Sequence, residues 1–169
     1  MRYVILGLAL FAFTSVARAE SEEEKLVRER LNGLPFNNTI DDTRNELQGR
    51  VGVVYRVQGG IITVKKVDIK EKKAGPFGST FIITVTALVT GSYWDSHYKG
   101  LGRRSDADKS PIRAEAEFVI ELSPSEGPKH IETRKIGGDD GRRWDVVTGG
   151  PGSAEGPVNS IINELRRIK

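Results

Sequence analysis

The chain has 169 residues, with 26 basic and 23 acidic side chains, two histidines and no cysteine. A chain of this length usually forms one domain. The lack of cysteine excludes disulfides, thiolate metal sites and cysteine nucleophiles, and two histidines are few for a histidine-built metal centre. We therefore expect neither a metal site nor a cofactor.

Residues 1–19 have the pattern of a secretory signal peptide. Arg2 supplies a positive start, residues 3–13 are almost entirely apolar, and Ala17 and Ala19 form a small-x-small cleavage site. The apolar run is short for a membrane span; the alternatives are an uncleaved anchor or a buried helix. We predict cleavage after Ala19 and residence of the mature chain in a bacterial periplasm or outside the cell.

The predicted mature chain, residues 20–169, is almost neutral. Arg2 and Arg18 are removed with the leader, which leaves 24 basic and 23 acidic side chains. Such a balance is unfavourable for binding nucleic acid through its phosphates. No cysteine follows the cleavage site, so we expect no lipid anchor, and we expect no membrane span after processing.

The mature chain is predicted to begin with a helix that ends before Pro35. Ser21 and Glu24 have the spacing of a capping box. An apolar stripe follows at helical spacing, and it consists of Val27, Leu31 and Leu34. A second, weaker helix is predicted over residues 42–48.

Residues 51–57 alternate in a way that predicts a strand. Gly59 and Gly60 follow directly and predict a two-residue turn into a return strand over residues 61–70. The alternation in the return strand changes phase at Lys65 and Lys66. A β-bulge at that point would restore the phase, and an exposed strand end would explain it equally well.

The longest predicted strand spans residues 80–94. One face is apolar, while the other carries threonines at alternate positions, as expected for a face that meets solvent or a ligand. Its length indicates that the strand is curved. A long irregular segment is predicted over residues 91–113, and the alternation of apolar residues with glutamates predicts another strand over residues 114–122.

The remaining residues predict five further elements. We expect a polar edge strand over residues 130–136, a hairpin loop over 137–141, a final strand over 143–148 and a flexible link over 149–156. A helix then begins at Pro157 with an apolar stripe formed by Val158, Ile161, Ile162, Leu165 and Ile168. We expect this stripe to pack on the chain's own sheet; docking to a partner is the alternative.

Together these elements predict an α+β fold, namely a curved antiparallel β-meander of five to six strands with an N-terminal helix and a C-terminal amphipathic helix. The order of elements, with a long strand ending near Tyr93 and Trp94 and a last strand around residues 143–147, resembles the cystatin-like and NTF2-like α+β class. Gln48 and the residues after it do not form the inhibitory-loop motif of cystatins. The resemblance therefore assigns no functional residue.

The sequence contains no nucleophile-elbow, zinc-protease, Walker or dinucleotide-binding motif. Its most distinctive segment is an aromatic-rich loop predicted within residues 91–113. Aromatic and arginine side chains are enriched at the energetic centres of interfaces and stack on ligands. The candidate binding residues are Tyr93, Trp94, Asp95, His97, Tyr98, Arg103 and Arg104. Alternatively, Trp94 and Tyr98 close the end of the core.

Asp95 and His97 are the residues best suited to acid–base catalysis, because a carboxylate can orient a histidine that acts as a general base. We expect the two side chains to meet only where the chain turns between them, and no nucleophile accompanies them.

The first functional hypothesis is an exported, soluble, non-enzymatic binding or accessory protein. Its partner would be another envelope protein or a small amphipathic ligand. The second hypothesis is a small hydrolase or isomerase with a cavity between sheet and helices. The third is a structural subunit of an envelope assembly that docks through its C-terminal helix or through the edge strand 130–136.

Overall fold

The computed structural model describes residues 19–75, 78–101, 103–107, 109–149 and 156–168, with residues 103 and 104 described by their backbone alone. The predicted leader lies outside these ranges apart from Ala19. The described part contains three helices and six antiparallel strands, which confirms the predicted α+β class. In chain order they are α1 (Glu22–Leu31), β1 (Pro35–Glu46), β2 (Gly49–Lys73), β3 (Thr80–Gly100), β4 (Arg103–Asp106), β5 (Ser110–Ser123), β6 (Gly127–Gly138), α2 (Gly141–Thr148) and α3 (Pro157–Leu165).

The six strands form one curved sheet in the order β1-β2-β3-β5-β6. β4 pairs with β3 beyond the end of β5, so β4 and β5 lie one after the other along the same side of β3. β2 has 25 residues and β3 has 21, whereas strands usually have about five or six. β6 forms one edge of the sheet, as predicted for residues 130–136.

The three helices pack on one face of this sheet. Along β3 every second residue from Ile83 to Val89 is buried, which is the periodicity of a strand with one covered face. These residues form a single apolar core with residues from all three helices. The C-terminal stripe packs on the chain's own sheet, as expected, with Val158, Ile161 and Leu165 buried.

α1 is joined to β2 through the buried Glu24. The predicted capping box is present, since Ser21 Oγ accepts from the backbone N–H of Glu24 at 3.2 Å and the Glu24 carboxylate accepts from the N–H of Ser21 at 2.8 Å. The second carboxylate oxygen of Glu24 accepts from the backbone N–H of Ile69 at 3.1 Å. A charge can be buried here because its oxygens are hydrogen-bonded.

None of the three helices packs on the opposite face, which we call the open face. Its middle is polar and carries ion pairs between strands. Lys65 Nζ on β2 lies 2.6 Å from Glu115 Oε1 on β5, across β3, and Arg134 Nη1 on β6 lies 3.9 Å from Glu117 Oε2 on the neighbouring β5. The half-polar row predicted for residues 80–94 lies on this face, and it comprises Ile82, Thr84, Thr86, Leu88 and Thr90.

The predicted helix over residues 42–48 is wrong. β1 continues to Glu46 and pairs residue by residue with β2 from Asn38 opposite Val57 to Glu46 opposite Gly49. This segment is polar and has no apolar stripe with which a helix could pack. The neighbouring strand supplies its backbone hydrogen bonds instead.

The predicted turn at Gly59 and Gly60 is also wrong, because β2 runs through both residues. The glycines lie at a register shift in the pairing with β3, between Gln58 and Ile61. A Cβ atom on Gly60 would lie only 2.4 Å from Cε1 of Phe36, so the missing side chain makes room for the Phe36 ring. The predicted bulge is present, since the register shifts again between Val64 and Lys66.

The predicted irregular segment over residues 91–113 is wrong for most of its length. β3 continues to Gly100, β4 returns along it, and β5 begins at Ser110. β2 runs beside β3 as far as the pair of Arg50 and Gly100, and on the other side of β3 the pairing with β5 ends at Tyr93 while β4 pairs with residues 96–99.

The predicted last strand over residues 143–148 is wrong, and so is the hairpin loop over 137–141. β6 extends to Gly138, and α2 begins at Gly141. Three consecutive residues of α2, namely Val146, Val147 and Thr148, are buried. A strand with one covered face would bury alternate residues, whereas a helix that lies between the sheet and α3 can bury consecutive ones. Most of the predicted link over 149–156 lies outside the described residues.

Candidate functional site

The candidate binding residues lie at one end of the sheet. This distal end consists of residues 93–100 of β3, residues 50–57 of β2 beside them, and β4. Across β2 and β3, Tyr55 is opposite Asp95 and Val53 is opposite His97. The sequence placed these candidates in a loop, but the structure places them on paired strands that hold their backbone in position.

Strand alternation divides the candidates between the two faces. Tyr93 belongs to the core beneath the helices, so Asp95 and His97 follow it on the helix side. Trp94, Ser96 and Tyr98 lie on the open face. The candidate residues of β3 therefore lie on two different surfaces, one on each side of the sheet.

Tyr93, Asp95 and His97 form a row on the helix side. The Tyr93 hydroxyl donates to Asp95 Oδ2 at 3.1 Å, and His97 Nε2 lies 3.2 Å from Asp95 Oδ1. Our expectation that Asp95 and His97 meet only at a turn is wrong, because residues two apart in a strand project from the same face. Burial raises the pKa of Tyr93 far above its usual range, and the charge of Asp95 raises it further.

Asp95 Oδ1 is buried and has no hydrogen-bond partner among the described residues, although His97 Nε2 is near. The side chain of Asp95 is 19% exposed and that of His97 is 46% exposed. The row therefore runs from a buried phenol through a shielded carboxylate to an imidazole in contact with solvent.

α2 fixes the inner end of this row through Arg143. Its guanidinium lies 4.4 Å from the centroid of the Tyr93 ring and donates to Ser110 Oγ at 3.1 Å and to the carbonyl of Pro111 at 2.7 Å. It also donates to Asp139 at 2.9 Å. Burial would raise the pKa of Asp139, but the backbone N–H of Arg113 and the Arg143 guanidinium outweigh burial and hold that pKa below its usual value.

The open face of the distal end carries two aromatic rings, each beneath a cation. Lys109 Nζ lies 4.9 Å from the centroid of the Trp94 ring, and the Arg50 guanidinium lies 4.8 Å from that of Tyr98. Between the rings, Arg56 donates to Ser96 Oγ at 2.7 Å. Ser96 and Val54 are buried beneath these larger side chains, although none of the three described helices covers them. We call these five larger residues the aromatic–cation stripe: Arg50, Arg56, Trp94, Tyr98 and Lys109.

Asp41 on β1 holds one end of the stripe in place. It is bonded to the Arg50 guanidinium, which also donates to Thr43 Oγ1 at 2.6 Å. The hydroxyl of Thr43 donates to Asp41 at 2.6 Å and lowers the pKa of that carboxyl, to which Arg50 also contributes. Asp41 therefore stays ionised to lower pH and keeps Arg50 over the Tyr98 ring.

Of the two remaining candidates, Arg103 lies on β4 opposite Lys99, and Arg104 lies opposite Tyr98. Sequence reasoning missed Arg50, Arg56 and Lys109. The alternation of residues 51–57 does place Arg56 on the face away from Tyr55, but only the register between β2 and β3 brings it to Ser96.

Other parts of the described chain offer weaker sites. A cleft of about 500 Å³ lies between α1 and β2, but its charges pair with one another, at 2.9 Å for Arg28 and Glu20 and 2.7 Å for Lys66 and Asp68. Within the described ranges no group of three histidine, aspartate or glutamate residues is arranged to hold a metal ion. None of the helices in those ranges combines the length and hydropathy needed to cross a membrane.

In comparisons with known proteins, the chain matches no protein-family model, no curated protein and no solved structure. The resemblance to the cystatin-like and NTF2-like class therefore rests on the order of elements alone, and the last strand on which it drew is helix α2. A single helix precedes the sheet in the described part of the chain, where an NTF2-like domain would have three.

Proposed function

We propose that the chain is an exported, non-enzymatic binding or accessory protein of the bacterial envelope, and that the aromatic–cation stripe is its contact surface. The observation that carries the proposal is the pair of partly buried rings, Trp94 and Tyr98, each with a cation above it on the open face, where none of the three described helices packs. Export rests on the leader pattern of residues 1–19.

The chemistry of the stripe favours an amphipathic partner with negative charge. Trp94 and Tyr98 provide flat apolar surfaces, while Arg50, Arg56 and Lys109 provide hydrogen-bond donors to carboxylate or phosphate oxygens. Aromatic and arginine side chains are also those enriched at the centres of protein interfaces. A small amphipathic anion or an acidic segment of another envelope protein fits this surface.

The interior between sheet and helices supports binding rather than catalysis. Its core is apolar, and the buried polar side chains Asn38 and Thr148 are bonded to backbone carbonyls, with Asn38 donating to Val146 at 2.7 Å and Thr148 to Trp144 at 2.7 Å. These groups already have partners and do not converge on a substrate.

The proposal is tested by comparing the variants Trp94→Ala and Tyr98→Ala with the wild-type protein. Immobilised protein is exposed to a bacterial envelope extract, and retained proteins and small molecules are quantified by mass spectrometry. We expect both variants to lose the same bound species while their circular dichroism and thermal unfolding remain like those of the wild type. Thr84→Ala, on the open face outside the distal end, is the matched control and should retain that species.

Two results would contradict the proposal. In one, both variants unfold, which would mean that Trp94 and Tyr98 serve to close the structure. In the other, the folded variants retain every species that the wild type retains.

The row of Tyr93, Asp95 and His97 supports a second candidate function, a small hydrolase or isomerase that uses acid–base chemistry. A carboxylate beside a solvent-exposed imidazole is the arrangement of an oriented general base, and Asp95 Oδ1 is 3.2 Å from His97 Nε2. A screen of ester, phosphoester and glycoside substrates tests it. Turnover that His97→Ala abolishes and His130→Ala preserves would support catalysis, and an inactive wild type would remove this candidate.

A further inference from the structure

Two hairpin turns lie side by side at the extreme of the distal end. The turn between β1 and β2 contains Leu47, and the turn between β3 and β4 contains Leu101. Their backbones touch, since a Cβ atom on Gly49 would lie 2.7 Å from the carbonyl carbon of Gly100 and 2.8 Å from the backbone nitrogen of Leu101. We call Leu47 and Leu101 the apolar tip.

The apolar tip is the most exposed apolar feature in the described chain. Leu47 is 108% exposed and Leu101 is 85% exposed, whereas Leu26 on α1 is 47% exposed. Single exposed leucines are common on protein surfaces. Two almost fully exposed leucines on adjacent turns, whose backbones are in contact, present one projecting apolar surface.

Basic residues flank the two turns of the apolar tip. Arg44 and Arg50 flank the first turn and are partly neutralised by Glu46 and Asp41. Lys99 beside the second turn forms no ion pair with a described residue, and the backbone of β4 pairs Arg103 with Lys99 and Arg104 with Tyr98. Positive charge therefore exceeds negative charge around the two leucines.

We propose that the apolar tip docks on the surface of an anionic phospholipid bilayer, with both leucines entering the boundary of the acyl chains and the surrounding cations meeting lipid phosphates. Membrane-surface binding grows with the apolar area inserted and with attraction to anionic lipid. Insertion is shallow, because the turns expose backbone groups that need water or headgroups.

The shape and size of the tip favour a bilayer over a protein groove. A specific protein interface buries about 1,200 Å² or more in total, and two leucine side chains supply only a small part of that area. A fluid bilayer needs no matching surface, and attachment to it combines inserted apolar area with attraction between basic residues and anionic lipid, which are the two features of the tip.

Vesicle flotation tests the proposal, using protein purified after secretion from expressing cells and vesicles of phosphatidylglycerol with phosphatidylcholine or of phosphatidylcholine alone. We expect binding to the anionic vesicles only. The double variant Leu47→Ser and Leu101→Ser should bind at least about tenfold more weakly. Lys99→Glu and about 0.5 M NaCl should each weaken binding. Leu26→Ser, which removes an exposed leucine elsewhere, should bind like the wild type.

Circular dichroism establishes that each variant is folded, which is expected because the altered side chains are exposed. The proposal is overturned by equal binding of the wild type and the double variant, by equal binding to both kinds of vesicle, or by no binding to either. Light scattering that shows dimers dependent on Leu47 and Leu101, without vesicle binding, would assign the tip to a second copy of the chain. None of these variants alters Trp94 or Tyr98, so the binding function proposed above is tested separately.

Discussion

The guanidinium of Arg143 on α2 lies 4.4 Å from the centroid of the Tyr93 ring on β3, at the place where the helix-covered sheet gives way to the distal end. Because Arg143 also bonds to Ser110 and Pro111 at the start of β5, it joins the helix to two neighbouring strands. This contact closes the core at one end and separates it from the exposed side chain of His97.

Replacing Arg143 by alanine should destabilise the fold by about 1–3 kcal/mol. The variant loses hydrogen bonds to Asp139, Ser110 and Pro111 and leaves polar groups without their partner. Urea unfolding measures the change in the free energy of unfolding. Arg44→Ala is the control, since its pair with Glu46 is exposed and should contribute little. Equal stabilities of the two variants would contradict the joining role of Arg143.

Replacing Asn38 by alanine should also cost about 1–3 kcal/mol in the free energy of unfolding. Asn38 Nδ2 donates to the carbonyl of Val146 at 2.7 Å, and the bond is buried. Its loss leaves a buried carbonyl in the last turn of α2 unpaired. Thermal and urea unfolding should show little change for Asn45→Ala, an exposed residue of the same strand. An Asn38 variant as stable as this control would show that water replaces the amide.

Replacing Gly60 by alanine should destabilise the protein by about 1–3 kcal/mol through overpacking. The new Cβ atom would meet Phe36 Cε1 at 2.4 Å, and the Phe36 ring is buried. Gly137→Ala is the control, because a Cβ atom there has no neighbour within 4 Å. Adding Phe36→Leu to Gly60→Ala should recover part of the loss, a coupling that a double-mutant cycle measures. Strictly additive effects would contradict the steric explanation.

Asp139 should make the free energy of unfolding decrease as the pH falls into the acid range. Its pKa is held below the ordinary value of 3.8 in the folded protein, so ionised Asp139 stabilises the fold above that value and the contribution is lost as pH falls through the folded-state pKa. The difference in stability between wild type and Asp139→Asn should therefore be largest near neutral pH and shrink below about pH 4. Urea unfolding at several pH values measures it.

Glu126→Gln is the matched control for the pH experiment, since Glu126 is an exposed carboxyl in the turn between β5 and β6. The free energy of unfolding of this variant should fall at acid pH by as much as that of the wild type. A difference between wild type and Asp139→Asn that stays constant from neutral to acid pH would mean that Asp139 acts through packing rather than through its charge.

The strands with one covered face could be predicted from local pattern. Residues 80–89 and 114–122 alternate because successive strand residues project to opposite faces, and that property is encoded within each segment. The capping box of Ser21 and Glu24 was predictable for the same reason, since its partners are three residues apart.

The elements that were predicted wrongly depend on distant partners. The pair Gly59 and Gly60 predicts a turn from local sequence. In the structure Gly60 instead leaves room for the ring of Phe36, which lies on another strand. Trp144, Val146 and Val147 fit a strand or a helix equally well, and the space between the sheet and α3 decides for the helix. Residues 91–100 have no strong apolar pattern, and they form a strand because β2 pairs with them on one side and β5 and β4 pair with parts of them on the other.

For the candidate site, the amino-acid sequence identified the segment rich in aromatic residues and the alternation that separates its side chains. Only the folded structure decided which side chains meet, since register brings Arg56 to Ser96 and Arg50 to Tyr98 across β2 and β3. The physical reason is the distance along the chain over which each effect acts. Backbone geometry sets periodicity within a few residues, whereas the neighbours of a side chain are set by backbone pairing and apolar burial between segments far apart in the chain.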